Sequence, residues 1–146
     1  MIYADTSFLA SIYMPDANTP GAKQVVASIT DPFPFTALHR LELRNAISLA
    51  VFQRRFSSTD ALAFWRDVEA DIAASRLIEL SLIGGDVFHE AETLAAAQTP
   101  AIGSRSLDIL HVVAARILQT QEFLTFDTRQ VALAAQLGMN LTPLPP

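Results

Sequence analysis

The sequence predicts an α/β fold, a three-layer α/β/α sandwich with a four- or five-stranded parallel sheet. Short apolar segments typical of buried strands alternate along the chain with longer segments of helical periodicity. Strands separated by helices need crossover connections, and such connections join parallel strands. The chain has 146 residues and carries no repeat, linker or low-complexity tract, so we expect a single domain over residues 1–146.

The predicted strands are short and apolar, and each is separated from the next by at least one helical segment. Four of them are MIYAD, FPFTA, RLIELSL and EFLTFD, and MNLTPL would be the fifth. Glu79 lies in the alternating part of the third strand, so we place it on the solvent face of an edge strand.

The helical segments have recognisable ends. Thr19 followed by Pro20 is typical of an N-cap with proline at the first helical position. Trp65 lies in the apolar stripe of its helix and is predicted to be a packing residue. Gly138 is predicted to be the C-cap of the last helix. In chain order the segments are GAKQVVASI, ALHRLELRNAISLAVFQRR, SSTDALAFWRDVEADIAASR, GGDVFHEAETLAAAQ, SRSLDILHVVAARILQ and TRQVALAAQLG.

The composition excludes several classes of protein. The net charge of −5 argues against a broad basic surface for nonspecific nucleic-acid binding. The chain has no cysteine, which excludes disulfides and thiolate metal sites. Apolar runs such as NAISLAV are far shorter than the ~20 residues that span a bilayer. Asp5 interrupts the N-terminal apolar run, which does not read as a signal peptide. We therefore expect a cytoplasmic protein with no membrane partner.

Four of the 15 acidic residues lie in apolar sequence at equivalent places in the predicted fold. Asp5 and Asp127 each end a strand and precede a helix. Glu42 and Asp108 each fall in the first turns of a helix that follows a strand or loop. In a parallel sheet the strand C-termini and the following helix N-termini lie at one edge, where such sheets bind ligands. The four carboxylates are therefore predicted to form one acidic pocket.

A pocket of four carboxylates is costly without a cation, because like charges repel and some of the groups would take up protons. Oxygen ligands favour Mg²⁺ or Mn²⁺ over zinc. Such a metal site suits phosphodiester hydrolysis. The hydroxyls of Thr6, Ser7 and Thr125 flank Asp5 and Asp127 and would orient carboxylates or water; helix capping is the alternative interpretation.

Basic residues near these acids are candidate contacts for RNA phosphates. His111 falls one helical turn after Asp108 and is either a ligand or base, or a packed helix histidine. His39 and His89 receive no role. The candidate phosphate contacts are Arg44, Arg105 and Arg129.

Four segments, in order along the chain, resemble one known family. MIYADTSFLASIY, LHRLELRNAI, SLDILHVVAA and FLTFDTRQVALAAQLGMNL are similar to the PIN domain, and in particular to VapC-type toxins of bacterial toxin–antitoxin pairs. The resemblance covers nearly the whole chain. It departs at Ser7, where many relatives carry asparagine.

The resemblance implies a metal-dependent ribonuclease that leaves a 5′-phosphate and a 3′-hydroxyl. Its catalytic acids would be Asp5, Glu42, Asp108 and Asp127, and the metal ligands would be Asp5, Asp108 and Asp127. Relatives form homodimers and are blocked by a cognate antitoxin wrapped over the site. Apolar helical segments such as VFQRRF and LAFWRDV also predict a homodimer here.

Other functions remain as alternatives. Within the family, these are housekeeping RNA processing and DNA cleavage. A non-enzymatic α/β interaction module would fit if the acids proved dispersed. A receiver-like module needs two neighbouring acids after the first strand and a lysine at a late strand end, but here Asp5 stands alone and Lys23 is the only lysine. The chain contains neither a Walker loop nor GxGxxG.

Overall fold

A computed structural model describes residues 1–82 and 84–145, without the side chains of residues 84 and 85. Strands and helices alternate as the sequence predicted. The strands are β1 (Ile2–Ala4), β2 (Phe33–Phe35), β3 (Leu77–Glu79), β4 (Glu122–Leu124) and β5 (Asn140–Leu141). The helices are α1 (Thr6–Tyr13), α2 (Thr19–Val26), α3 (Ala37–Phe52), α4 (Ser58–Ala73), α5 (Gly84–Ile102), α6 (Ser106–Ile117) and α7 (Thr128–Gln136).

All strand pairs in the described residues are parallel, and the pairs form two hydrogen-bonded groups. One group has the order β1–β4–β5 and the other pairs β2 with β3. The first group places Tyr3 opposite Phe123, and Phe123 opposite Leu141. Strands β1 and β2 lie side by side between the two groups. The predicted single sheet is therefore divided at this boundary.

Pro34 explains the division. The N–H of Phe33 donates to the carbonyl of Arg76, and the carbonyl of Phe35 accepts from the N–H of Leu80. Alternate residues of a parallel strand bond to opposite neighbours, so the backbone groups of Pro34 face β1. Proline has no N–H to donate, so the β1–β2 ladder lacks the bond that this residue would supply.

The buried side chain of His39 links β1 to the start of α3. Its Nδ1 lies 3.0 Å from the backbone N of Thr36, and its Nε2 lies 2.9 Å from the carbonyl oxygen of Ala4. The first contact requires Nδ1 to accept, so Nε2 carries the proton and donates. Burial, reinforced by the nearby His111, lowers the pKa of His39 to about 3. His39 is thus a neutral structural residue, a role that the sequence did not predict.

Two helix ends differ in detail from the prediction. The N-cap of α2 is Asn18 rather than Thr19. The Thr19 hydroxyl instead donates to the carbonyl of Ser11, 2.8 Å away, and this bond anchors the helix start. Helix α7 has Leu137 at its C-cap, and Gly138 follows with φ of +69°. This left-handed conformation explains the glycine.

The core consists of two clusters, one on each face of the sheet. Neighbouring residues of one strand point to opposite faces, so Ala4 joins one cluster and Tyr3 the other. Helices α1, α3 and α4 cover the Ala4 face, whereas α5, α6 and α7 cover the Tyr3 face. This arrangement is the predicted three-layer sandwich. Among the described residues, no helix is long and apolar enough to cross a membrane.

Candidate active site

One open cavity of about 370 Å³ lies at the carboxyl edge of β1 and β4. Asp5 follows β1 directly, Asp127 is the N-cap of α7, and Asp108 lies in the first turn of α6. Glu42 reaches the cavity from the second turn of α3. The structure therefore brings all four predicted carboxylates to one place. The cavity is also lined by Thr6, Ser7, Arg105, His111 and Gln130.

Asp5 is fully buried and is held entirely by neutral donors. Its Oδ1 accepts from the N–H of Phe8 at 2.9 Å and thereby caps α1. Its Oδ2 accepts from the Thr125 hydroxyl and from Nε2 of Gln130, both at 2.8 Å. The Ser7 hydroxyl lies 2.8 and 2.9 Å from the two oxygens. Ser7 and Thr125 thus orient the carboxylate, while Asp5 itself provides the cap.

The environment of Asp5 disfavours its charged form. Burial raises the pKa of Asp5, and the charge of His111 and the hydrogen bonds to the carboxylate offset this only in part. A positive charge placed beside Asp5 would favour the ionised form.

Asp108 and Asp127 share a single cation, the guanidinium of Arg105. Its Nε lies 3.1 Å from Oδ2 of Asp108, and its NH2 nitrogen lies 2.9 Å from Oδ2 of Asp127. Asp108 also accepts from the backbone N–H of Arg105 at 2.9 Å, and Asp127 accepts from the N–H of Arg129 at 2.8 Å. Both carboxylates therefore fix helix starts as well as lining the cavity.

Glu42 is anchored by a buried network on the other side of the cavity. One of its oxygens accepts from the Thr6 hydroxyl at 2.8 Å and from Nε2 of His111. Nδ1 of His111 lies 2.9 Å from the Tyr3 hydroxyl. A carboxylate only accepts, so Nε2 of His111 carries a proton and donates a hydrogen bond to Glu42, while Nδ1 shares a hydrogen bond with the Tyr3 hydroxyl. His111 is a buried partner of Glu42, and Thr6 acts on Glu42 rather than on Asp5.

The pKa values of Glu42 and Tyr3 fit this arrangement. Burial is the largest influence on Glu42 and raises its pKa. The hydrogen bond and charge of His111, the hydrogen bond from Thr6 and the charge of Arg105 outweigh burial, and the net pKa is lowered. Burial, followed by the charges of Asp5 and Glu42, raises the pKa of Tyr3 well above its ordinary value. Glu42 is thus ionised and the Tyr3 phenol keeps its proton.

Gln130 is a site residue that the sequence reasoning missed. It is buried, and its Nε2 lies 2.8 Å from Oδ2 of Asp5 and 3.5 Å from Oδ1 of Asp108. Its Oε1 is buried and lacks a hydrogen-bond partner in the described part of the chain. The available signal was its position three residues after Asp127, on the first turn of α7.

The donor set suits a hard divalent cation, because it consists of carboxylate oxygens without sulfur. Among the described residues, however, no three Asp, Glu or His side chains lie close enough together to hold a metal ion. Arg105 stands between Asp108 and Asp127, and their oxygens point at its nitrogens. The residues present therefore fit Mg²⁺ or Mn²⁺ in type, while the side chain of Arg105 lies between two of the carboxylates.

In the described structure, the side chains of the other two predicted phosphate contacts, Arg44 and Arg129, make no hydrogen bond or ion pair with the four carboxylates. Arg44 stacks on the ring of Trp65, 4.4 Å from its centroid, and borders a separate groove. In the described structure, Arg129 contacts the acids only through its backbone N–H. Glu79 is exposed and pairs with Arg40 at 2.9 Å, as expected for the solvent face of an edge strand. Of the three arginines, only Arg105 reaches the carboxylates with its side chain.

No protein-family model and no curated protein sequence matches the chain. Several solved structures match its fold. VapC20 of Mycobacterium tuberculosis, a sarcin–ricin loop cleaving toxin, is 22% identical with a TM-score of 0.68, over 90% of this chain and 94% of that one. FitAcB from Neisseria gonorrhoeae is 16% identical with a TM-score of 0.68, over 98% and 97%.

A third match is VapBC2 from Rickettsia felis, bound to a DNA fragment from its promoter. It is 13% identical, with a TM-score of 0.65, over 99% of this chain and 100% of that one. The matches extend over at least 90% of this chain in all three cases. The chain therefore has the PIN-domain fold of the VapC and Fit structures, as its sequence resemblance implied.

Proposed function

We propose that this chain is a metal-dependent endoribonuclease and the toxin of a toxin–antitoxin pair. The observation that carries the proposal is the meeting of Asp5, Glu42, Asp108 and Asp127 in one cavity, each from a different segment. Carboxylates gathered in this way suit phosphodiester hydrolysis. The similarity in fold to a sarcin–ricin loop cleaving toxin supports the same reading.

Asp5, Asp108 and Asp127 would hold Mg²⁺ or Mn²⁺. When bound, the ion supplies positive charge that offsets charge developing on the phosphate and the leaving oxygen, and it acidifies water. The hydroxyls of Ser7 and Thr125 keep the Asp5 carboxylate in one orientation. Their geometry fixes this ligand before substrate arrives, and such preorganisation lowers the cost of binding.

Glu42 would act on the attacking water. It is ionised, it is partly open to the cavity, and one of its oxygens is occupied by Thr6 and His111. An ionised carboxylate that is fixed in this way can accept a hydrogen bond from water and aim the water at phosphorus. His111 and Tyr3 serve as positioning residues. His111 bonds to Glu42 and Tyr3 bonds to His111, so both would act on the reaction through Glu42.

An exposed apolar groove beside the cavity supports an antitoxin partner. The groove has a volume of about 390 Å³ and is lined by residues of α3, α5 and α6. Leu107 borders both the groove and the acidic cavity. An apolar peptide segment seated in the groove would therefore end at the mouth of the site and exclude substrate. The groove is formed by Thr36, Ala37, Leu38, Leu41, Leu82, Val87, Phe88, Leu107 and Leu110.

A homodimer is the second proposed assembly. Phe52 and Leu62 are exposed on α3 and α4. Neither has a covering element in the described residues, so a second copy of the chain would bury them. A dimer would also combine two sets of arginines into one RNA-binding surface. Such a local positive surface would offset the repulsion between RNA phosphates and a chain of net charge −5.

Cleavage of a structured RNA by the purified chain tests the activity. The RNA is incubated with Mn²⁺ or with EDTA, beside a DNA of the same sequence, and the products are resolved on a denaturing gel. The proposal expects RNA cleavage that requires Mn²⁺ and leaves 5′-phosphates. Cleavage of DNA alone would favour the DNA-directed alternative, and cleavage in EDTA would contradict metal dependence.

A further inference from the structure

Arg105 lines the acidic cavity although its side chain is largely exposed to solvent. Its side chain is 64% exposed, whereas the side chains of Asp108 and Asp127 are 6% and 20% exposed. The guanidinium therefore reaches in from solvent to two carboxylates that are mostly removed from it. It is also tied to both of them at once, since its NH2 nitrogen lies 2.9 Å from Asp127 and 3.4 Å from Asp108.

Among the described residues that line the cavity, Arg105 is the one arginine or lysine, and His111 is the other basic side chain. Hydrogen bonding to Asp108, followed by the charges of Asp108, Asp127 and Glu42, raises the pKa of Arg105. Asp5 receives only neutral donors from Ser7, Thr125, Gln130 and a backbone N–H. One guanidinium thus faces several carboxylates, and its single positive charge offsets only part of the charge of the two nearest to it.

We propose that Arg105 is a built-in counter-cation that a divalent metal ion displaces from Asp108 and Asp127. This inference rests on the proposed metal-dependent function. The oxygens that Arg105 engages belong to two of the three predicted metal ligands, so the guanidinium and the metal compete for the same positions. Without metal, Arg105 relieves the repulsion between Asp108 and Asp127 and keeps both side chains in place.

Displacement is inexpensive for this residue. A largely exposed guanidinium regains hydration when it leaves, and the metal ion would then supply the positive charge that Asp108 and Asp127 lose. The flexible side chain stays attached at the N-cap of α6, so it remains at the mouth of the cavity. There its planar donor pair matches the geometry of a phosphate. Arg105 would therefore exchange carboxylates for an RNA phosphate when the metal arrives.

Competition makes a quantitative prediction about metal affinity. When an internal group occupies a binding site, the apparent dissociation constant of the ligand equals its intrinsic value divided by the fraction of molecules in which the site is free. Arg105→Gln removes the competing charge and leaves a shorter, neutral polar side chain. Arg129→Gln is the matched control, because Arg129 lies at the same edge while its side chain makes no described hydrogen bond or ion pair with the acids.

Two measurements on the full chain test the proposal. Isothermal titration with Mn²⁺ should show Arg105→Gln binding at least about fivefold more tightly than Arg129→Gln, which itself stays within about twofold of wild type. A ¹⁵N–¹H spectrum of wild type follows the Nε–H of Arg105, which is assigned by its absence in Arg105→Lys. Titration with diamagnetic Mg²⁺ should move this resonance to the position of exposed arginines.

The outcomes separate this inference from the proposed function. Mn²⁺ binding with an Arg105 resonance that is unchanged at saturating Mg²⁺ would overturn displacement alone. Equal or weaker Mn²⁺ binding by Arg105→Gln than by Arg129→Gln would do the same. The Mg²⁺ titration is recorded on wild type, and a variant is needed only to assign the Arg105 resonance. The displacement proposal therefore remains testable even if Arg105→Gln folds poorly. If neither wild type, Arg105→Gln nor Arg129→Gln binds Mn²⁺, both the proposed metal site and the displacement of Arg105 from it are wrong.

Discussion

The Tyr3 hydroxyl lies 2.9 Å from Nδ1 of His111, in a buried contact between β1 and α6. The opposite nitrogen of the ring, Nε2, donates to a carboxylate oxygen of Glu42, so the Tyr3 hydroxyl helps to fix the ring that holds this carboxylate. Two residues that are 108 positions apart therefore determine how a site carboxylate is held. This relationship leads to the first prediction.

Tyr3→Phe should lower RNA cleavage by about tenfold while the fold persists, since losing the hydroxyl frees the ring of His111 and loosens Glu42. The unpaired buried nitrogen should also lower the free energy of unfolding by about 1–3 kcal/mol. Cleavage kinetics and urea denaturation measure the two effects. Tyr13→Phe is the control, because the Tyr13 hydroxyl bonds to Asp71 at 2.7 Å, away from the cavity. Equal loss of activity in both variants would contradict a positioning role for Tyr3.

Gln130→Met should preserve volume and remove the amide donor to Asp5. A hydrogen bond to a charged group contributes about 1.5–3 kcal/mol, so cleavage should fall by roughly 10- to 150-fold if Asp5 must keep its orientation. Gln136→Met on the exposed end of α7 is the matched substitution and should leave the rate unchanged. Circular dichroism checks that both variants are folded. A full rate in Gln130→Met would remove this residue from the site.

The neutral His39 predicts a loss of stability on acidification. Its pKa is about 3 in the folded chain and about 6.5 in the unfolded chain, so the unfolded state binds the proton first as the pH falls below 6.5. Between pH 7.5 and pH 5 this single group should cost about 2 kcal/mol. Urea denaturation at both pH values should show that the loss shrinks by this amount in His39→Gln. His89→Gln, at an exposed position, should follow wild type; a His39→Gln curve parallel to wild type would disprove the assignment.

Mn²⁺ should stabilise the folded chain, because the unfolded chain cannot assemble the carboxylates. At a hundredfold excess over its dissociation constant the ion adds about 2.7 kcal/mol, which corresponds to a melting shift of roughly 5–10 °C for this size of domain. Differential scanning fluorimetry with Mn²⁺ and with EDTA measures the shift. Asp127→Asn should shrink it, whereas Glu79→Gln should keep it. The two variants giving equal shifts would exclude Asp127 as a ligand.

The metal-free behaviour of Asp127→Asn follows from Arg105. Repulsion among four carboxylates, considered alone, predicts that neutralising Asp127 raises the melting temperature without metal. The structure shows Asp127 paired with Arg105 at 2.9 Å and capping α7, so its charge is partly compensated. Because asparagine is also a good N-cap, only the ion pair is lost, and a small decrease in melting temperature is expected.

The sequence was informative where topology alone sets position. The strand-then-acid pattern at Asp5 and Asp127 predicted the edge at which they meet, because parallel strands leave no other choice. It was silent where long-range side-chain contacts decide. Tyr3 looked like any strand aromatic, and Gln130 looked like a polar residue on a helix face. The proximity of Arg105 to Asp108 in the sequence predicts a phosphate contact, but its pairing with Asp127, which lies in another segment, cannot be read from the sequence.

The division of the sheet and the role of His39 could not be predicted from the sequence, because both depend on which distant segments become neighbours in the fold. Pro34 was visible in the sequence, but which neighbour its missing N–H would face depends on strand order. His39 bonds to Ala4, 35 positions away, and that distance cannot be read from helical periodicity. Local propensity predicted the helix starts to within about two residues, as at Thr19, because caps depend on short-range bonds. The helix ends were less accurate, since α5 continues to Ile102 beyond the predicted Gln98, and α1 had no predicted segment of its own.

The central claim is that the converging carboxylates perform metal-dependent RNA cleavage, and the single-turnover rate of Asp108→Asn tests it most directly. Removing charge stabilisation at the reacting phosphate costs several kcal/mol, so the rate at saturating Mn²⁺ should fall by about a thousandfold or more with an unchanged circular dichroism spectrum. Glu79→Gln removes an exposed acid of the edge strand β3 that does not line the cavity, so its rate should stay within about twofold of wild type. If Asp108→Asn instead cleaves RNA at the wild-type rate while Glu79→Gln is inactive, the cavity described here is not the active site.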